Sequence, residues 1–211
     1  VPKLAPKTQA ARRDRILDAA ENCFIRAGFH ATTMHDICRE ADISPGALYT
    51  YFVSKDALII GLCEREKERF AGDLARLASA PDFISALQAM AEQFCCHEPR
   101  EKLRLHLEIA AEASRNRTIG DTVRNIDKSV RSGFVELLEK EKASGRINPR
   151  FPIETVVRAM CVIGDGLFWH RAVEADFDPN PIIPVMMAMI STLLEPASNY
   201  ETNEKEGVSR I

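Results

Sequence analysis

Residues 32–55, TTMHDICREADISPGALYTYFVSK, constrain this chain more than any other stretch. Thr33 is a good N-cap for a short helix over Met34–Glu40, whose Ile37 and Cys38 face inward. Ala41-Asp42-Ile43 is too short to be anything but a turn. Ser44 then caps a second helix, and Pro45 sits at its first position, where a missing N–H costs nothing. Leu48 and Phe52, four apart, reach a core together. Two short helices joined by a tight turn form a helix-turn-helix, a unit that places its second helix in the DNA major groove.

Helical patterning continues through nearly the whole chain, and strand-like alternation is missing. A first helix runs from about Gln9 to Ala27, with Ile16, Ala20, Cys23 and Phe24 on one face and Gly28 as its C′ residue. Ser54-Lys55-Asp56 opens a long helix to about Ala78. After Pro81, further helices are expected near Phe83–Cys96, Glu101–Ser114, Ile119–Ser144, Ile153–Ala175 and Pro181–Leu194, separated by Pro99, Arg115-Asn116, Ser144-Gly145, Pro149 with Pro152, and Asp178–Pro181. The expected fold is all-α with about nine helices. Residues 1–55 form a helix-turn-helix DNA-binding domain with a basic N-terminal arm, 56–195 an effector-binding and dimerisation domain, and 196–211 a polar, disordered tail.

Charge supports that division. The net charge is −3, yet residues 1–55 hold eight Lys/Arg against six Asp/Glu, while the remainder holds 20 against 25. Lys3, Lys7, Arg12, Arg13 and Arg15 precede the motif, as phosphate contact would favour. No apolar run approaches the roughly 20 residues that span a bilayer, and the first residues have no apolar signal core, so a cytoplasmic protein without membrane contact is expected. The six cysteines contain no CxxC pair, and no metal or cofactor is expected. Cys95-Cys96 leaves a redox-controlled regulator as one alternative and a transcriptional activator as another. Paired catalytic carboxylates in a motif, a nucleophile elbow, a phosphate loop and HExxH are all missing, which argues against an enzyme.

The string Thr33, Ile37-Cys38, Ala41-Asp42-Ile43-Ser44, Gly46-Ala47-Leu48-Tyr49-Thr50-Tyr51-Phe52, Lys55 and Leu58 resembles the N-terminal domain of the TetR family of bacterial transcriptional regulators. The preceding ILDAAENCFIRAGFHATT is similar to that family's first helix. Cys38 stands where the family usually has Ala, Asp42 where Gly is common, and Thr50 where His or a larger aromatic is frequent. A more local likeness, Gly164-Asp165-Gly166-Leu167-Phe168-Trp169-His170, resembles a subgroup that includes choline-sensing regulators. Choline needs an aromatic cage, which Phe168 and Trp169 alone do not make.

The resemblance implies a repressor that binds a palindromic double-stranded operator as a homodimer and is released by a small-molecule effector. Candidate DNA contacts are Thr33, Ser44, Pro45, Gly46, Ala47, Tyr49, Thr50, Tyr51 and Lys55. Pro45 and Gly46 keep the reading helix slim. Ala47 and Thr50 offer methyl groups to thymine, Tyr49 a phenol to phosphate or a base edge, and Tyr51 and Lys55 reach phosphate. Candidate effector residues are Phe94, Leu105, His106, Ile109, Phe134, Asp165, Phe168 and Trp169, a set that suits a flat, mostly apolar ligand such as a flavonoid or an aromatic drug. Val156, Met160, Ile163, Leu167, Ile183, Met186, Met189, Ile190 and Leu193 are the candidate dimer interface, since the final helix is apolar on several faces.

Overall fold

The structure, a computed structural model, describes residues 6–194. The fold is all-α. The helices are α1 (Pro6–Ala27), α2 (Met34–Ala41), α3 (Pro45–Tyr51), α4 (Lys55–Ala78), α5 (Phe83–Glu92), α6 (Arg100–Ala113), α7 (Arg117–Ala143), α8 (Ile153–Val173) and α9 (Ile182–Leu194). The polar tail and Lys3 lie outside the described residues, as does the side chain of Lys7. None of the described helices is long and apolar enough to cross a membrane.

The helix ends follow the expected local chemistry. Gly28 closes α1 at φ +80°, a conformation that glycine adopts without a Cβ penalty. Its N–H donates to the Phe24 carbonyl at 2.8 Å. Thr33 and Asp36 form a capping box at the start of α2: the Thr33 hydroxyl accepts from Asp36 N–H at 3.1 Å while its backbone N–H donates to Asp36 Oδ2 at 3.0 Å. Asp42 ends α2 in the left-handed region, φ 51°, where Asp is tolerated better than most residues. Ser44 caps α3 by accepting from Ala47 N–H at 3.3 Å.

The chain divides into two compact units, and the division does not fall at residue 55. One unit comprises residues to Arg69 together with Pro99–Asp127; the other comprises Phe70–Glu98 and the residues from Lys128 onward. The first core gathers Ile16, Leu17, Phe24, Ile37, Leu48 and Phe52 with Leu58, Ile59 and Leu62 of α4, Leu105 and Ile109 of α6, and Ile119 of α7. Residues of α4, α6 and α7 complete this core. Charges reinforce this packing: Arg65 pairs with Asp18 and Glu21, and Lys102 reaches Glu66 at 2.8 Å.

The second core is built from Leu77, Phe83, Leu87, Phe134, Leu138, Val156, Val157, Ile183, Met186, Ile190 and their neighbours. Phe70 meets Phe134 and Phe94 edge-on, with ring centroids 5.6 and 6.4 Å away. α5 departs from its expected extent. Its α-helical part stops at Glu92, and Gln93–His97 continue as a π-helical turn before Glu98 goes extended ahead of Pro99.

Candidate nucleic-acid interface

α3 presents a small, exposed face. Tyr49 is 51% exposed, and Ser44, Pro45, Gly46 and Thr50 are also exposed, with Ala47 half-buried. Leu48 anchors the opposite side in the core. A Cβ added at Gly46 would meet nothing within 4 Å, so the space beside the first turn is open to a partner. The Thr50 hydroxyl donates to the Gly46 carbonyl at 2.9 Å. Val53, just beyond α3, is 77% exposed and is not among the expected DNA contacts.

Three candidates sit differently from the expectation. Tyr51 is half-buried and packs against the first core. The Thr33 hydroxyl is occupied by the capping box and donates to Asp36 Oδ2 at 2.6 Å. Lys55 is half-buried: its ammonium donates to the Phe29 carbonyl at 2.6 Å and the His30 carbonyl at 3.1 Å, and lies 4.6 Å from the Phe29 ring centroid. In the preceding peptide, Phe29 N–H donates to Glu108 Oε2 at 2.9 Å. Lys55 and Glu108 thus hold the α1–α2 loop by opposite charges on successive peptide units either side of the Phe29 Cα.

The basic stretch on α1 is likewise partly engaged. Arg13 pairs with Glu64 at 3.1 Å and lies over the Phe52 ring. Arg15 donates to the Ala41 carbonyl at 3.0 Å, satisfying an orphan acceptor at the end of α2.

This geometry has close parallels. Residues 16–62 match the family described as bacterial regulatory proteins, tetR family. Over 139 residues the chain is 33% identical to the HTH-type transcriptional regulator UidR of Escherichia coli K12, covering 65% of this chain and 69% of that protein. The chain belongs to the TetR family. Over 186 residues this TetR-family chain is 25% identical to the HTH-type transcriptional repressor Rv1474c of Mycobacterium tuberculosis, covering 88% and 95% of the two chains. Among solved structures, Salmonella enterica GusR superposes with a TM-score of 0.74 at 27% identity, covering 88% of this chain and 96% of that one. The protein is therefore a TetR-type DNA-binding transcriptional regulator and not an enzyme.

The effector candidates are drawn from both units. Leu105 and Ile109 are buried in the first core, whereas Phe94 and Phe134 belong to the second. His106 and Phe168 are half-buried, and Asp165 and Trp169 are exposed.

The dimer candidates differ in exposure. Val156, Leu167, Ile183, Met186 and Ile190 are buried in the chain's own core, Met160, Ile163 and Leu193 are half-buried against it, and Met189 is exposed. The apolar side chains left exposed on α8 are Val162, Trp169 and Val173, and those on α9 are Ile182 and Val185 with Met189. Within each helix these positions are spaced three, four or seven apart and form one stripe.

Both members of the vicinal cysteine pair are free thiols. Burial pushes Cys95 up to about 11, with Cys96 adding to the rise and Arg171 opposing it. Burial also raises Cys96. Among the described residues no group of three or more His, Cys, Asp or Glu is placed to hold a metal ion.

Proposed function

We propose that this TetR-family regulator is a homodimeric repressor of a palindromic operator, released by a small ligand with a flat, mostly apolar body. The observation that carries the DNA half is α3, capped by Ser44 and anchored by Leu48, with Tyr49 and Thr50 in solvent. Two such helices related by a two-fold axis engage half-sites about 34–36 Å apart.

The dimer half rests on the exposed stripes of α8 and α9. An apolar side chain fully withdrawn from water contributes roughly 1.5–3 kcal/mol, so Val162, Trp169, Val173, Ile182, Val185 and Met189 are a strong drive to association. Gly164 and Gly166, with no atoms within 4 Å of an added Cβ, let a facing helix come close.

Effector binding is assigned to the second unit, where Phe94 and Phe134 sit beside Phe70, and Phe168 is half-buried. α4 and α7 belong to both units, with Arg69 and Asp127 in one and Phe70 and Lys128 in the other, and are covalent routes by which the ligand displaces the reading helices. A 10²-fold loss of DNA affinity requires about 2.7 kcal/mol of difference in ligand binding between the two states.

A redox-controlled regulator has less support. Thiols held above their ordinary range carry little thiolate near neutrality, and adjacent residues on a helix diverge rather than face each other.

The reading is tested by fluorescence anisotropy at one stated salt concentration, comparing a duplex carrying both half-sites with a duplex carrying one, with and without a panel of flavonoids and aromatic drugs. Tight binding to the double site, and its loss on adding a compound that also binds in calorimetry, support the reading. Equal affinity for both duplexes defeats the dimer half. No compound that both binds and releases DNA defeats the effector half.

A further inference from the structure

We propose that α3 selects its operator through the C5-methyl groups of thymine, with the Thr50 methyl as the principal reader, and not through paired hydrogen bonds to purines. This rests on the reading above that α3 enters the major groove.

The first ground is what α3 lacks. Guanine is most often held by Arg or Lys on its O6 and N7, and adenine by the amide of Asn or Gln on its N6 and N7. The helix PGALYTY has none of these four residue types. The next cation along the chain, Lys55, spends its ammonium on the Phe29 and His30 carbonyls.

The second ground is what α3 presents. Thr50 lies one turn beyond both Gly46 and Ala47, so the three share a face. Gly46 leaves open space there, which lets the backbone and the short Ala47 and Thr50 side chains approach the groove floor. The single proton of the Thr50 hydroxyl is donated to the Gly46 carbonyl, so the oxygen retains only acceptor capacity. The methyl group is the apolar surface of that side chain. In the major groove its apolar counterpart is the thymine methyl, the one base-edge group there that is not a hydrogen-bond donor or acceptor. Tyr49 can donate one hydrogen bond through its phenol, which suits a phosphate, a contact that positions the protein without reading sequence.

The test uses the operator duplex obtained by selection with the intact protein. Each thymine is replaced in turn by deoxyuridine, which removes the methyl and leaves the hydrogen-bonding edge intact. Affinities are measured by anisotropy at fixed salt for wild type, Thr50→Ser and Thr50→Val, with thermal unfolding confirming that each variant is folded.

For wild type, deoxyuridine at the thymine facing Thr50 is expected to weaken binding roughly three- to tenfold, the scale of one buried methyl. Thr50→Ser, which keeps the hydroxyl and drops the methyl, is expected to bind the thymine duplex more weakly by a similar factor and to lose nothing further on deoxyuridine. Thr50→Val, which keeps a methyl and drops the hydroxyl, is expected to retain the wild-type ratio between the duplexes. Equal wild-type affinity for thymine and deoxyuridine duplexes overturns methyl reading. So does a full deoxyuridine penalty persisting in Thr50→Ser, or a ratio lost in Thr50→Val and kept in Thr50→Ser; these outcomes leave the operator reading intact. Failure of the wild type to select any operator overturns both.

Discussion

The ammonium of Lys55 stands at the motif's position and has partners within the chain. Its position is the family's, but its donors go to the Phe29 and His30 carbonyls. Hydrogen bonds to a charged group are worth about 1.5–3 kcal/mol each when well made. Since Lys55 is partly exposed, Lys55→Met is expected to lower unfolding stability by about 1–3 kcal/mol in urea titration. A phosphate-binding lysine would also reduce the slope of log affinity against log salt by about 1; for Lys55→Met no change in slope is expected. Thr33 has a similar internal duty, and Thr33→Ala should cost about 1 kcal/mol of stability. The hydrogen bonds from the Thr33 hydroxyl and backbone N–H, with Arg39 nearby, hold the Asp36 carboxyl below its ordinary value of 3.8. A depressed carboxylate stabilises the fold above its unfolded pKa and loses that contribution as pH falls through the folded one. The stability gap between wild type and Asp36→Asn should therefore be full at neutral pH and close below about pH 4, as followed by acid unfolding. The Lys55 role is hidden in the sequence because carbonyl partners such as those of Phe29 and His30 carry no residue signature. The caps at Thr33 and Ser44 are legible because capping is local chemistry.

At the level of the helix, α9 separates what patterning can and cannot decide. Its sequence IIPVMMAMISTLL is apolar at nearly every position, so hydrophobic period gives no phase. The structure supplies the phase: Ile183, Met186, Met187, Ile190 and Leu194 go inward, while Val185 at 60% and Met189 at 53% exposure face solvent. If the outer stripe is the dimer interface, Val185→Asp/Met189→Asp should yield a folded monomer by sedimentation, with unchanged helical circular dichroism. Met186→Asp should instead unfold the second unit, since it buries an unpaired charge. The π-helical turn at Gln93–His97 was equally invisible, because one wide turn shifts the helical phase by a single residue. It carries Cys95 into the core, and Cys95→Ser/Cys96→Ser is expected to leave operator affinity unchanged with and without diamide.

Across the whole molecule, the sequence pattern located the helices within a few residues but did not say which of them share a core. Leu105 and Ile109 look like any apolar pair on α6, and only long-range packing assigns them to the reading unit beside Ile16 and Phe24. The family string from Ile16 to Leu58 is legible for the opposite reason, since its turn, caps and short helices are specified almost residue by residue. The central claim is that α3 reads a two-fold operator. Selection of bound fragments from genomic DNA at a stated salt, with wild type and Tyr49→Ala/Thr50→Ala in parallel, tests it most directly. The expected result is an inverted-repeat site recovered by wild type and lost by the variant, with both proteins equally folded. No enriched site, or equal recovery by both proteins, would contradict the claim.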